Sequence, residues 1–295
     1  MDKKQWVEMF RKEAEKTLLS IGGIKDKKKK SEIINQTIKQ FLENNIKKIT
    51  NEFKEKGLTR EWLLNEILLA TYASYIVMLE YRNTVWPYDY MSFARRIGEL
   101  WEPFCKIPFT FSLVELEIVE PHDFKELESE IRNKTTNFIS TLSLNDTEKK
   151  MLEYYFNIPW SLVDSGGIKL KLDLHFKQGK NTYNCDFKSG FSSNEKGNTN
   201  RLLLVGSIYQ SMGEREKAVL FVRQEEDENN HYLQTLKKSP YWNVFCAEEG
   251  YAKMAEFTGF NLRNWLDVNA DWKNDISIEF RNHLENNDLI RYLTW

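Results

Sequence analysis

The feature that most constrains the fold is a pair of alternating runs in the second half of the chain, Gly167–Phe176 and Asn181–Gly190, separated by Gly179-Lys180. In the first run Leu170, Leu172, Leu174 and Phe176 share one strand face, and Lys169, Lys171, Asp173 and His175 share the other. In the second, Tyr183, Cys185 and Phe187 face one way, and Asn184, Asp186 and Lys188 the other. A two-residue turn with glycine first fits a type II′ hairpin and fixes the register. Phe176 then lies opposite Tyr183, Leu174 opposite Cys185 and Leu172 opposite Phe187. The same register sets Asp173 across from Asp186. It also sets Lys171 across from Lys188, a like-charge pair that costs stability unless an anion lies between them.

The elements downstream of the hairpin decide the fold class. TNRLLLVGSIYQSM reads as a helix, KAVLFVRQ as a buried strand, YWNVFCA as another strand and EEGYAKMAEFTG as a helix. That order predicts an α/β protein with a mixed central β-sheet flanked by helices. Upstream, helical periodicity covers Gln5–Ile21, Ser31–Glu55 and Thr59–Tyr81, with Gly57 as a stop and Thr59 as a start. A further helix is expected over Asp89–Cys105, closed by Pro103. A strand is expected over 109–120, then helices over Asp123–Leu142 and Asp146–Phe156. The texture changes at Ser165-Gly166-Gly167. We therefore expect a helical N-terminal region over 1–85 and an α/β core with C-terminal α/β elements over 86–295.

Bulk properties exclude more than they assign. With 29% charged and 41% hydrophobic residues the chain should be folded throughout. A net charge of -2 provides no global basic field, so any nucleic-acid binding must come from a local patch. Cys105, Cys185 and Cys246 are few, odd in number and widely spaced, which fits a reducing compartment and neither a disulfide framework nor a zinc site. The N-terminus is charged, and no apolar run approaches the roughly 20 residues needed to span a bilayer, so a cytoplasmic protein with no membrane partner is expected. The run Lys27–Lys30 reads as a solvated connection; phosphate binding is the rarer use of such a run.

The chemistry lies on the hairpin. Directly opposed residues have Cβ atoms roughly 4.5 to 5.5 Å apart, so two facing aspartates can share one ion. Like charges that close repel unless a cation or a proton separates them, and Mg²⁺ is commonly held by one or two carboxylates plus waters. Lys188, about 6.5 Å beyond Asp186 along the same face, can reach a metal-bound water or a phosphate. An acid, any residue and a lysine recur elsewhere in this charged chain, at Asp2/Lys4, Asp26/Lys28, Glu52/Lys54, Asp123/Lys125, Glu148/Lys150 and Asp271/Lys273. Asp186/Lys188 differs in sitting on a strand that comes after a second aspartate strand at hairpin spacing, whereas Asp123/Lys125 reads as a helix start. The plain alternative is an exposed charged hairpin.

Asp173, Asp186-Phe187-Lys188 and the helix from about Thr199 resemble the PD-(D/E)xK nuclease superfamily: an acid on one strand, acid-x-lysine on the next, then a helix. The resemblance covers about 50 residues, Gly166 to Met212. It departs at Leu172, which stands where the eponymous proline would precede the first aspartate. The resemblance implies a restriction-endonuclease-like core in which Asp173 and Asp186 bind Mg²⁺, or Mn²⁺ in its place, and Lys188 positions the attacking water. It also implies a glutamate on an earlier helix that completes the metal site, with Glu99 the first candidate and Glu102 the second. A surface position for either glutamate is the plain alternative. Arg95 and Arg96 next door can contact phosphates or simply face solvent. In the polar segment after Lys188, Ser189, Asn198, Asn200 and Arg201 are the expected DNA contacts, since such side chains satisfy base edges and phosphate oxygens. Gln210 resembles the glutamine that RecB-like relatives carry. His175 is expected to be peripheral.

Within the superfamily, a chain of this length with no helicase or ATPase motif looks most like a type II restriction endonuclease. Such an enzyme cuts both strands of DNA as a homodimer matched to a two-fold site. The alternatives are a RecB-like exonuclease or repair nuclease without base specificity, and a non-catalytic DNA-binding or interaction module.

Overall fold

Three helices build the N-terminal region: α1 (Lys3–Ser20), α2 (Lys27–Lys56) and α3 (Arg60–Val85). Their ends follow the capping chemistry of the sequence. Gly57 closes α2 in the left-handed conformation at φ 59°, and the Thr59 hydroxyl accepts from Trp62 N to open α3. The computed structural model describes residues 1–162, 169–192 and 194–295, without the side chains of 159–162. The Ser165-Gly166-Gly167 boundary lies outside the described residues, as do the first residues of the expected 167–176 strand and Ser193 of the polar segment.

α3 is apolar all round, and that composition makes it a central helix rather than a surface one. It is long and apolar enough to cross a membrane, against the expectation that no segment approaches that length. Yet 89% of its apolar window is buried inside the protein, packed by α1 and α2 on one side and by α4 on another.

α4 (Tyr90–Thr110) corrects a second expectation. Pro103 does not close it; the helix runs through both Pro103 and Pro108. A proline in a helix interior removes one backbone hydrogen bond and costs about 3 kcal/mol or more. Trp101, Phe104, Cys105 and Phe109 are all buried on this helix, and burial of each aromatic contributes roughly 1.5 to 3 kcal/mol in the other direction. Because α4 consumes residues 109 and 110, the strand expected over 109–120 shrinks to β1 (Glu117–Ile118).

After α5 (Phe124–Thr141) and α6 (Asp146–Leu162) come β2 (Leu174–Gln178), β3 (Asn181–Lys188), α7 (Lys196–Met212), β4 (Glu216–Val222), α8 (His231–Lys237), β5 (Trp242–Cys246) and α9 (Ala247–Thr258). α10 (Leu262–Asn269), α11 (Trp272–Asp275) and α12 (Ile278–Asn286) finish the chain. The Asp123 carboxylate caps α5 by accepting from Lys125 N and Glu126 N, so the Asp123/Lys125 pair is a helix start, as its context implies.

The protein is thus α/β, with twelve α-helices among the described residues and a mixed five-stranded sheet in the order β1-β2-β3-β4-β5. The first two pairings are antiparallel and the last two parallel. Leu174, Phe176, Cys185, Phe187, Val219 and Phe221 pack on one face into a cluster continuous with the N-terminal helices. Trp101 and Phe109 of α4 and Phe257 of α9 cover that face, with ring centroids 5.1 to 5.8 Å from Phe176 or Phe187. Ala218, Leu220 and Val222 face the other way, into a separate cluster with Leu202, Val205 and Tyr209 of α7 and Leu233 and Leu236 of α8.

Candidate metal and phosphodiester site

The hairpin forms in the expected register. Phe176 pairs with Tyr183 and Leu174 with Cys185, and Gly179 takes φ 58° in the turn. Regular pairing stops at Leu174, which corrects the remainder of the expectation. Asp173 N donates to the carbonyl of Cys185, the residue already opposite Leu174, so two residues of one strand meet one of the other. That count is a β-bulge, and an extra residue turns everything upstream onto the opposite face. Leu170 and Leu172 accordingly pack with Leu220 and Val222 beneath α7 and not with Leu174 and Phe176. The chain over 169–173 has left the strand, so Asp173 is not the strand partner of Asp186 as the register predicted, Leu172 does not pair with Phe187 and the Lys171/Lys188 clash never arises; Lys171 is exposed.

The bulge fixes Asp173 from two directions. Its carboxylate Oδ2 accepts from Phe187 N at 2.8 Å, and its carbonyl accepts from Lys106 Nζ of α4 at 3.2 Å. His175 holds the segment before it. The His175 Nε2 accepts from Leu172 N at 3.0 Å, which places the ring proton on Nδ1, where it donates to Asn184 Oδ1 at 2.8 Å. Asn184 Nδ2 donates in turn to Glu216 Oε2. Burial depresses the His175 pKa, in keeping with a neutral ring that supports backbone.

Asp186 sits on the same sheet face as His175 and Asn184, but α7 covers that face, and only 1% of Asp186 is exposed. The expected ionisable face is therefore an interior one. Arg201 of α7 donates through Nη2 to Asp186 Oδ2 at 3.1 Å. Lys188 Nζ lies 2.7 Å from Oδ1 as an ion pair, at an angle that leaves Oδ1 buried without a directed hydrogen-bond donor. Burial pushes the Asp186 carboxyl up from 3.8 to about 6; Lys188 pulls it down, the nearby charge of Asp173 raises it, and Arg201 lowers it.

The other expected site residues scatter. Glu99 turns away from the aspartates and pairs with Arg95 at 3.2 Å and Arg96 at 3.4 Å. Glu102 lies one turn on and pairs with Lys106 at 2.7 Å, the lysine that also reaches the Asp173 carbonyl. The α4 glutamate linked to the aspartates is thus the second candidate. Ser189 is half-buried against Gly98 of α4, and its hydroxyl accepts from the Arg223 guanidinium at 2.8 and 3.0 Å. Arg201 is engaged with Asp186, Asn198 donates to Glu195 at 2.9 Å, and Asn200 and Gln210 are exposed on α7. α7 begins at Lys196, a turn before the expected Thr199.

Lys106, Asn184 and Glu216 carry no signal of a site when read singly in the sequence. Lys106 is discernible there only as the i+4 partner of Glu102 beside the buried stripe of α4, and Asn184 only as the residue the hairpin register sets opposite His175.

No cluster of three or more histidine, cysteine or acidic residues able to hold a metal occurs among the described residues. The donor set offered to a cation is two aspartates, one of them buried and ion-paired to Lys188 and Arg201, and that suits a hard ion that retains most of its waters far better than zinc. Two cations, Lys188 and Arg201, flank the same carboxylate and supply positive charge where a phosphate could be held. Comparison of the chain with protein families, with curated proteins and with solved structures finds no match.

Proposed function

We propose that the chain is a Mg²⁺-dependent double-stranded DNA endonuclease of the type II restriction class, and that its sheet is a restriction-endonuclease-like core. The observation that carries this reading is Asp186: a carboxylate 1% exposed, with its charge raised in cost by burial and by Asp173 and met by Lys188 and Arg201. A carboxylate pushed up to about 6 in a small polar interior is an unfavourable arrangement to keep for stability alone, and raised pKa values of this kind concentrate at functional sites.

Asp173 and Asp186 would hold Mg²⁺, or Mn²⁺ in its place, and when bound such an ion stabilises charge on a phosphodiester and acidifies its own water. The chain's own groups do the rest. Asp186 must be ionised to act as a ligand, so cation and proton compete for it, and a bound cation would bring its pKa below the value of about 6 that burial gives. Lys188, 23% exposed, can donate to a phosphate oxygen or to an attacking water. Arg201, 38% exposed, can leave Asp186 for the phosphate as a cation takes its place. Glu102 is the carboxylate on α4 available to extend the donor set. Cleavage of both strands at a two-fold site implies a homodimer.

Digestion of a large plasmid with Mg²⁺, followed by sequencing of the ends, tests the proposal. Discrete fragments with 5′-phosphates are expected, and Asp186→Ala should abolish them. A smear would instead assign the RecB-like exonuclease reading. Cleavage that survives Asp186→Ala would sink the site assignment. One observation favours a non-catalytic DNA-binding module: Lys188 and Arg201 already compensate Asp186 as a closed ion triad. Absence of cleavage with either metal, together with retained DNA binding, would decide for that reading.

A further inference from the structure

A second polar cavity lies on the far side of α4, between the first turns of α2 and the end of α3, with a volume of about 270 Å³. Two helices present one stripe each to it. Lys28, Ser31, Glu32 and Asn35 recur at three and four along α2, as do Ser92, Arg95, Arg96 and Glu99 along α4. Arg82, near the end of α3, forms the floor.

Three groups in this cavity are only partly satisfied. Arg82 is 8% exposed and has no carboxylate within 4.0 Å among the described residues; its guanidinium donates to the Trp86 carbonyl and rests 3.9 Å from the Tyr88 ring centre. Burial lowers its pKa, the sign of a charge without adequate compensation. The Tyr88 hydroxyl is buried beside the Arg96 guanidinium, which donates toward its oxygen, while its own proton has no acceptor, and Asn35 Oδ1 is buried without a partner. The carboxylates nearby are already engaged: Glu99 is shared between Arg95 and Arg96, Asp89 caps α4 through Ser92 N, and Glu32 stands 4.0 Å from Lys28. Four cations against three carboxylates leave the cavity positive.

We propose that this cavity binds a small phosphate monoester. Arg82, Arg95 and Arg96 surround the dianion, the Tyr88 hydroxyl donates to one of its oxygens, Lys28 closes the rim, and Asn35 Oδ1 accepts from a hydroxyl or amino group on the esterified portion. Guanidinium forks match phosphate geometry, and a phosphate offers acceptors to every donor left idle here. The volume falls just below the roughly 300 to 1,000 Å³ of sites for drug-sized ligands, which limits the occupant to a sugar phosphate or at most a mononucleotide. This inference does not depend on the nuclease reading, since its test involves no cleavage.

Calorimetric titration of the full chain with inorganic phosphate, ribose 5-phosphate and adenosine 5′-monophosphate tests it. Saturable binding is expected for the esters and weaker binding for inorganic phosphate, by roughly fivefold, because inorganic phosphate provides no group for Asn35. Arg95→Gln, at a side chain 78% exposed and so safe for folding, should weaken all three roughly tenfold. Tyr88→Phe should weaken them several-fold, because it deletes the hydroxyl whose proton has no acceptor in the unliganded protein. The preferred ester distinguishes a sugar phosphate from a nucleotide. No saturable binding of any of the three, or binding unchanged in both variants, overturns the proposal. So does Arg95-dependent binding confined to a DNA duplex without terminal phosphates, which would make this a backbone contact.

Discussion

Ionisation of Asp186 should leave a signature in the pH dependence of stability. Burial raises this carboxyl from 3.8 to about 6, so the native protein keeps a proton that the unfolded chain has already released. Between roughly pH 4 and pH 6 the native state therefore binds more protons, and stability falls as pH rises. Above that window the full cost is present: 6 less 3.8 is about two pKa units, each worth about 1.4 kcal/mol, or roughly 3 kcal/mol. Asp186→Asn keeps the shape and removes the charge. Lysine and arginine stay charged throughout the window, so the loss of attraction to Lys188 and Arg201 is already contained in the same shift. The variant should match wild type near pH 4 and exceed its stability by roughly 3 kcal/mol near pH 7.5. Urea unfolding of both proteins across that range reads the difference directly from the midpoints. A flat difference would show that folding leaves the carboxyl pKa unchanged, and one that falls with pH would show an ionised carboxylate that stabilises the native state; either result would refute the reasoning. Mg²⁺ should narrow the gap at the upper end, because a cation that binds the folded wild type stabilises it by mass action and the variant lacks the ligand.

Particular contacts dictate the other outcomes. Gly206→Ala in α7 would gain roughly 1 kcal/mol in an ordinary helix, but a Cβ there would lie 2.4 Å from the indole nitrogen of Trp242, which donates to Leu202 O; thermal unfolding should show a net loss of roughly 1 to 3 kcal/mol. His175→Leu strands Leu172 N–H and Asn184 Oδ1 in the interior, and should cost roughly 2 to 4 kcal/mol and speed hydrogen exchange at Leu172. Plasmid cleavage assays should show Glu102→Gln impaired and Glu99→Gln near wild type, with Lys188→Met slower by roughly a hundredfold or more. Cleavage by the wild type should rise with pH across the acid range, with a midpoint below about 6 that falls as the Mg²⁺ concentration rises, because the cation competes with the proton for Asp186.

Much of the core is legible because it rests on local rules. The Gly179-Lys180 turn fixes the pairing of Leu174 with Cys185 and of Phe176 with Tyr183, and period-two and apolar runs mark β3, β4 and β5. Gly57, Thr59 and Asp123 act as helix signals as their types dictate. The misread elements are those set by tertiary packing. Pro103 reads as a stop until the buried face of α4 outweighs it. The alternation of Leu170 and Leu172 with Leu174 implies one face until the bulge at Asp173 reverses it, and no local pattern distinguishes those two outcomes. Arg201 is expected to face DNA because its loop is polar; its position over Asp186 depends on how α7 crosses the sheet. Glu99 and Glu102 differ by about 60° around one helix, and only the seating of α4 on Phe187 through Trp101 decides which turns toward the hairpin.

The bulge at Asp173 has a mechanical consequence. Asp173 is tied to the layer above the sheet through Lys106 of α4, whereas Asp186 is tied to the layer below through Arg201 of α7. The main chain at Asp173 and the side chain of Asp186 are thus gripped from different layers, while the Asp173 carboxylate itself is fixed to Phe187 N of β3. A small slide of α4 relative to α7 pulls on the Asp173 main chain and on the Arg201 contact without breaking a strand pair. Substitutions deep in either layer, remote from both aspartates, should therefore detune the site while the protein remains fully folded.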